Sequence, residues 1–297
     1  MSNAMEWLQF VLAPQMINGL SIGVAVVLIA LGLTIIFGLL DVINMAHGEF
    51  YAIGAYLAVA LLATGMSFWW ALVLTPLLMA VLGFVTERGL IQRVFHSKDR
   101  HTLTLLLTFG VAVVLEDALK IAFGANPLRL EAPISGATEM LGLFFPNYRL
   151  FVMLFGGALI AAVWLLVFRT SLGAIVRAAA YDRNMSASLG VPVQLVYAGT
   201  FAFGVALAGI AGVLLAPIYS VFPTMGKDFV LIAFSVVIIG GMGSIKGALL
   251  AGLLLTQVQS ISSLYISPVW SDPLLFGIMV LVLMWRPQGL FGKLGSA

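Results

Sequence analysis

Leu31-Gly-Leu-Thr-Ile-Ile-Phe-Gly-Leu-Leu40 runs straight into Asp41-Val-Ile-Asn-Met-Ala-His-Gly-Glu-Phe50. The first half closes an apolar stretch that starts at Leu12 and carries no charge. The second half ties a polar knot to its end, and more apolar sequence follows at once. Hydrocarbon offers no water to such groups. They sit at a membrane surface, are buried against other helices, or line a wet path.

Composition extends this reading to the whole chain. Hydrophobic residues make up 62% of the 297 and charged residues 9%, with a mean hydropathy of +1.13. Soluble chains carry about 25% charged residues, so a soluble fold would lack a polar coat. Apolar runs at 12–40, 49–65, 68–86, 102–122, 150–168, 196–217, 229–244, 247–265 and 273–285 approach the roughly 20 residues that cross a bilayer. The expected fold is all-α, a polytopic bundle with eight to ten spans, eight being central. A discontinuous helix falls near 41–49, and the 229–244 run is short enough to be re-entrant. The 31 Gly fit close helix packing in lipid.

All Lys and Arg except Lys120, Arg129, Arg149 and Lys227 collect on one side when crossings are counted from the loop holding Arg88, Arg93, Lys98 and Arg100. That side, which also holds Arg169, Arg177, Arg183, Lys246, Arg286 and Lys293, is cytoplasmic by the positive-inside rule. The N-terminus is then outside if the first span is one crossing. No cleavable signal is apparent, and Met1-Ser-Asn-Ala4 before Met5 reads as the scar of an expression tag. Residues 5–297 are expected to be one transmembrane domain. There is no cysteine, which excludes disulfides and thiolate metal sites. The net charge of +2 gives no reason to expect nucleic acid as a partner.

Four segments carry candidate function. In Asn44-Met-Ala-His-Gly-Glu49, helical spacing puts Asp41, Asn44 and Gly48 on one face, with Gly48 a natural break. One reading is a discontinuous helix whose freed groups line a passage, with Asn44, His47, Gly48 and Glu49 along it. The other is an interfacial turn with Asp41 and Glu49 solvated. A lone His among scattered carboxylates lacks metal-ligand spacing, so no metal is expected. The loop from Ser171 to Pro192 reads as two short helical pieces, at Ala178–Ala180 and Ser186–Leu189. Gly190 sits in the left-handed cap position and Pro192 blocks continuation. It is either a helix offered to a partner's groove or a loop lying on the membrane. Gly240-Gly-Met-Gly243 permits a tight helix–helix turn or hinge. Glu116 and Asp117 lie four and three residues from Lys120, the spacing of a helical ion pair, with a proton relay as the sharper alternative.

Three stretches together resemble the inner-membrane permease subunit of the branched-chain amino acid ABC importer family. They are Asn18-Gly19 with Ala30–Leu33 leading into Ile43-Asn-Met-Ala-His-Gly48 and Gly54-Ala-Tyr56, then Gly173–Gly190, then Gly240–Ser244 with Arg286-Pro-Gln-Gly-Leu-Phe-Gly292. The resemblance covers Gln9 to Gly292 and points to the first of two paired permeases. It implies a multi-pass protein of the bacterial inner membrane that forms the pathway for an amino acid. A second permease, alike or different, two cytoplasmic ATPases and an extracytoplasmic binding protein would be its partners. ATP and Mg would be bound by the ATPases, and no cofactor by this chain, which has no phosphate-binding G-x-x-x-x-G-K-[ST] loop and is no enzyme. Arg177, Ala179, Ala180, Asp182, Ser186, Ala187, Leu189 and Gly190 would form the coupling helix. The family's usual acid before the Ala run is missing here. Relatives in motif carry urea, amides or small aromatic acids, and a proton-coupled secondary transporter is the rival from another class.

Overall fold

The computed structural model describes residues 7–292 except His96, Lys98 and Leu141. The tag-like Met1–Ala4, Lys98 and Lys293 lie outside the described residues. The chain forms α1 (Ala13–Leu40), entered through a π turn at Leu8–Leu12, then α2 (His47–Ala63) and α3 (Phe68–Thr86), which continues through Glu87–Ile91 to Val94. There follow α4 (Arg100–Phe123), a hairpin of β1 (Ala137–Met140) and β2 (Leu143–Pro146), and α5 (Asn147–Arg169). The remainder is α6 (Ser171–Tyr181), α7 (Arg183–Ser188), α8 (Val193–Leu215), α9 (Met225–Gly240), α10 (Ile245–Ser262) and α11 (Ser271–Trp285).

The all-α membrane bundle holds, with the small antiparallel hairpin added in the loop between α4 and α5, where Ala137 pairs Pro146. Leu128 in that loop exchanges two backbone hydrogen bonds of 2.8 Å with Val221, tying it to the segment between α8 and α9. Six described helices are long and apolar enough to cross a membrane. The runs expected at 49–65, 229–244 and 273–285 become shorter helices of 17, 16 and 15 residues.

The most apolar helix is the most enclosed. α1 is buried without interruption from Gly23 to Ile36 and packs against α8, α10, α5 and α9. α8 is wedged between α1, α2 and α3. Glycines bring these backbones together: Gly32 of α1 meets Gly204 of α8, and Gly54 of α2 meets Gly209 of α8. In lipid, apolar surface alone gives no drive to associate, so close van der Waals fit at such crossings holds the bundle. α4 and α5, by contrast, turn most of their apolar side chains outward, which suits helices facing lipid or another subunit.

Candidate functional site

α1 ends at Asp41, which takes a left-handed backbone (φ 53°) and bonds its N–H to the Phe37 carbonyl at 2.8 Å. The next residues are not helical until His47. Asp41, Asn44 and Gly48 therefore share no helical face, because there is no helix between 41 and 46 to carry the spacing.

Three contacts fix where this segment goes. Asp41 pairs with Arg100 at 3.1 Å and lies 3.4 Å from His101, at the cationic start of α4. The Met45 N–H donates to Thr108 Oγ1 at 3.1 Å, two turns further along α4. His47 Nε2 donates to the Ile29 carbonyl at 3.0 Å, about 16 Å back along α1 from Leu40 at 1.5 Å per residue. The chain thus turns at the C-terminal end of α1, beside Arg100, and climbs back to the middle of the bundle. There α2 begins. The polar knot is a re-entrant break and not an interfacial turn.

α9 begins beside it. A Cβ on Gly48 would strike the Gly226 carbonyl, and one on Gly226 would lie 2.5–2.6 Å from the Glu49 carboxylate atoms. Two helix N-termini therefore converge on Glu49, each presenting unpaired N–H groups and a partial positive charge. Tyr51 packs on Phe229 with ring centroids 4.3 Å apart, extending the α2–α9 contact. The Glu116 carboxylate of α4 bonds both Lys120 and Lys227, each at 2.7 Å, and so pins the first turn of α9 to α4. The sequence reading found the Lys120 partner by spacing. It missed Lys227, more than 100 residues away, and no local pattern signals it.

Asn44 and His47 are fully enclosed and Glu49 is 2% exposed. The expectation that these side chains themselves line a wet passage is not met in this conformation. They hold the break from behind: Asn44 Oδ1 accepts the Ala46 N–H at 3.1 Å. Asn44 Nδ2, His47 Nδ1 and Glu49 Oε2 have no hydrogen-bond partner among the described residues. Past Asp41, the break exposes Ile43, and Met45 is half-buried. Met45 and Ala46 form a turn, closed by the His47 N–H on the Asn44 carbonyl at 3.3 Å.

The loop from Ser171 to Pro192 is a helical hairpin longer than the two pieces expected. Thr170 caps α6 by accepting the Gly173 N–H (3.1 Å), and Asp182 caps α7 by accepting the Met185 N–H (2.9 Å). Gly190 ends it with φ +85°, as its position required. Ala179 and Ser186 are turned inward. Ala180, Asp182, Ala187, Leu189 and Gly190 are exposed, with Leu189 77% open. Arg177 bends back to the Val167 carbonyl and lies 5.7 Å over the Phe168 ring.

Gly240, Gly241 and Gly243 form the tight corner between α9 and α10. Gly240 lies against the Gly247 backbone, and Gly241 and Gly243 have φ +99° and +80°. The Arg286–Gly292 tail has a role that sequence reasoning did not give it. Leu290 and Phe291 donate their N–H groups to the Ile239 and Gly240 carbonyls at 2.8 and 3.0 Å. These are C-terminal carbonyls of α9 that the helix itself leaves unpaired.

A multi-pass helical bundle with a helix broken at mid-depth and a capped helical hairpin at the cationic face has the build of a transport subunit. The chain matches the family described as "Branched-chain amino acid transport system / permease component" over residues 15–283, and it belongs to that family. It is 31% identical to the high-affinity branched-chain amino acid transport system permease protein LivH of Salmonella typhimurium, over 94% of this chain and 95% of that one. Against BraD of Pseudomonas aeruginosa, named as the same kind of permease, identity is 30% over the same shares. The permease LivM of Escherichia coli is 28% identical over 89% of this chain and 67% of its own length. One named transport system thus has two different permeases, both related to this chain. No solved structure matches it. The chain is a membrane permease subunit of the importer class that its motifs resemble.

Proposed function

We propose that this chain forms half of a translocation path for a branched-chain amino acid or a similar small polar solute, in a bacterial inner membrane. The carrying observation is the re-entrant segment 41–46. Non-helical backbone at membrane depth is untenable against lipid, and is tolerated only against protein or water. Ile43 is exposed on that segment and Met45 half-buried. They therefore face a second permease and the path between the two. Asn44, His47, Gly48 and Glu49 set the geometry of the break, and the paired N-termini of α2 and α9 supply a positive field at mid-depth, as broken helices do in other carriers.

The energy comes from two cytoplasmic ATPases, which bind ATP and Mg and dock on the exposed residues of the α6–α7 hairpin. An extracytoplasmic binding protein delivers the cargo to the face bearing the β1–β2 loop. Such a subunit has no ATP chemistry of its own. Differential affinity of the partners for two arrangements of the bundle would drive the cycle.

The chain contains no cysteine, so Ile43→Cys and Met45→Cys give single labelling sites. In the assembled transporter both should react with a membrane-impermeant maleimide, and cargo should slow the reaction. Sites that stay unreactive in every nucleotide state would remove this segment from the path.

A further inference from the structure

At the cytoplasmic face, a cavity of ≈ 860 Å³ lies between the end of α1, the α6–α7 hairpin and the start of α10. Arg100, Arg177, Arg183 and Lys246 all line it, against one carboxylate, Asp41. Aromatic rings hold two of the cations: Arg183 lies 4.8 Å over Phe95 and 5.4 Å over Tyr197, and Arg100 lies 5.4 Å over Phe95. Such stacking fixes guanidinium planes while leaving N–H groups free to meet an oxyanion. Asp41 offsets Arg100 through their 3.1 Å pair. Arg177, Arg183 and Lys246 remain as net positive charge.

The cavity does not end in polar surface. An adjoining slot of ≈ 320 Å³ shares Leu39, Val167, Arg177 and Ile245 with it and reaches Thr34, Ile35 and Val176. A groove of ≈ 610 Å³ takes over at Ile35, Val167 and Val176 and continues past Leu166, Leu195 and Phe203. Ile35 lies about 8 Å inward from the end of α1, within the hydrocarbon of the inner leaflet. A cationic mouth at the headgroup level leading to an apolar slot matches an amphiphile whose head is anionic. A free phosphate would use only the mouth.

We infer that this cavity and slot bind an anionic phospholipid of the inner leaflet. Arg177, Arg183 and Lys246 hold the headgroup phosphate, and an acyl chain fills the slot beside Ile35 and Val176. Basic pockets between helices on the cytoplasmic side suit such headgroups. Arg177 and Val176 belong to α6, so the lipid fastens the coupling hairpin to α1 and α5 and makes its position sensitive to membrane composition.

The test is thermal unfolding of the purified full chain in neutral detergent, titrated separately with phosphatidylglycerol, phosphatidylcholine and inorganic phosphate. Phosphatidylglycerol should stabilise at concentrations roughly ten-fold lower than phosphatidylcholine, and phosphate should not stabilise. The double variant Arg183→Gln/Lys246→Gln should lose the preference, while Arg93→Gln, outside the cavity, should keep it. Equal response to the two lipids, or a preference that survives the double substitution, overturns the site. Stabilisation by phosphate equal to that by phosphatidylglycerol overturns the lipid assignment. Should the double variant not fold, Val176→Trp fills the slot with the cations intact. Undiminished phosphatidylglycerol binding by that variant also refutes the proposal.

Discussion

The imidazole of His47 donates through Nε2 to the carbonyl of Ile29 at 3.0 Å, joining the first residue of α2 to the middle of α1. The Ile29 carbonyl belongs to the ladder of an intact helix, so His47 adds a bond without breaking one. It locks the re-entrant segment at a set depth. Gly32, whose Cβ would stand 3.2 Å from the ring, leaves room for it.

His47→Leu should therefore abolish uptake and leave the permease able to assemble with its partners. The lost buried hydrogen bond should cost about 1 kcal/mol of stability. Uptake assays on vesicles, with co-purification as the assembly readout, check this. Asn44→Leu should act in the same direction, because the Ala46 N–H loses its acceptor.

Gly226→Ala tests the convergence of α2 and α9. A methyl there meets the Glu49 carboxylate, so either α9 shifts or Glu49 is displaced. Overpacking of this kind costs about 1–3 kcal/mol. We expect a lower unfolding temperature and strongly reduced transport. Gly157→Ala is the control, since nothing lies within 4 Å of its Cβ position, and it should be near neutral.

Glu116→Gln removes a buried carboxylate that bridges two lysines, themselves 39% and 61% exposed. Water screens both lysines, so the loss is smaller than for a fully buried triad, about 1–2 kcal/mol. Because Lys227 ties α9 to α4, stability should fall and uptake should fall with it. If Glu116 were instead a proton relay, uptake would need no ATP and would depend on this carboxylate and on a proton gradient. Activity of the wild-type assembly without ATP is the measurement that separates the two mechanisms.

Leu189→Asp tests the α6–α7 hairpin as the proposed docking site for the ATPases. Leu189 is 77% exposed, so the substitution should leave the permease's own unfolding temperature unchanged within about 0.5 kcal/mol. It should nonetheless reduce recovery of the ATPases by co-purification. Gly190→Arg should do the same with an added strain of about 1 kcal/mol, because φ is +85° there. Retention of both ATPases by Leu189→Asp would move the docking surface elsewhere.

Much of this site is legible in the sequence. The uninterrupted apolar run to Leu40, the polar residues after it and the Gly-Pro stop at Gly190 and Pro192 are local signals, and each marks a real boundary. The Lys120 pairing was legible for the same reason, since helical spacing dictates it. Illegible were Lys227 at Glu116, Gly226 at Glu49 and Leu290 at Ile239. Each joins segments brought together only by folding. Helical spacing also misplaced Asp41, Asn44 and Gly48, because residues 41–46 are not helical and close on a turn at Met45 and Ala46.

By itself, the sequence determined that the chain lies in a membrane, which face is cationic, and where its helices must break. Those follow from transfer of side chains and backbone between water and hydrocarbon, which each segment undergoes on its own. Only the tertiary structure decided that the break turns back into the bundle, that Asn44 and His47 point into protein while Ile43 is exposed and Met45 half-buried, and that Ala179 and Ser186 are hidden within the α6–α7 hairpin. Those depend on which backbones can approach closely enough to touch, and glycines distant in sequence set that distance.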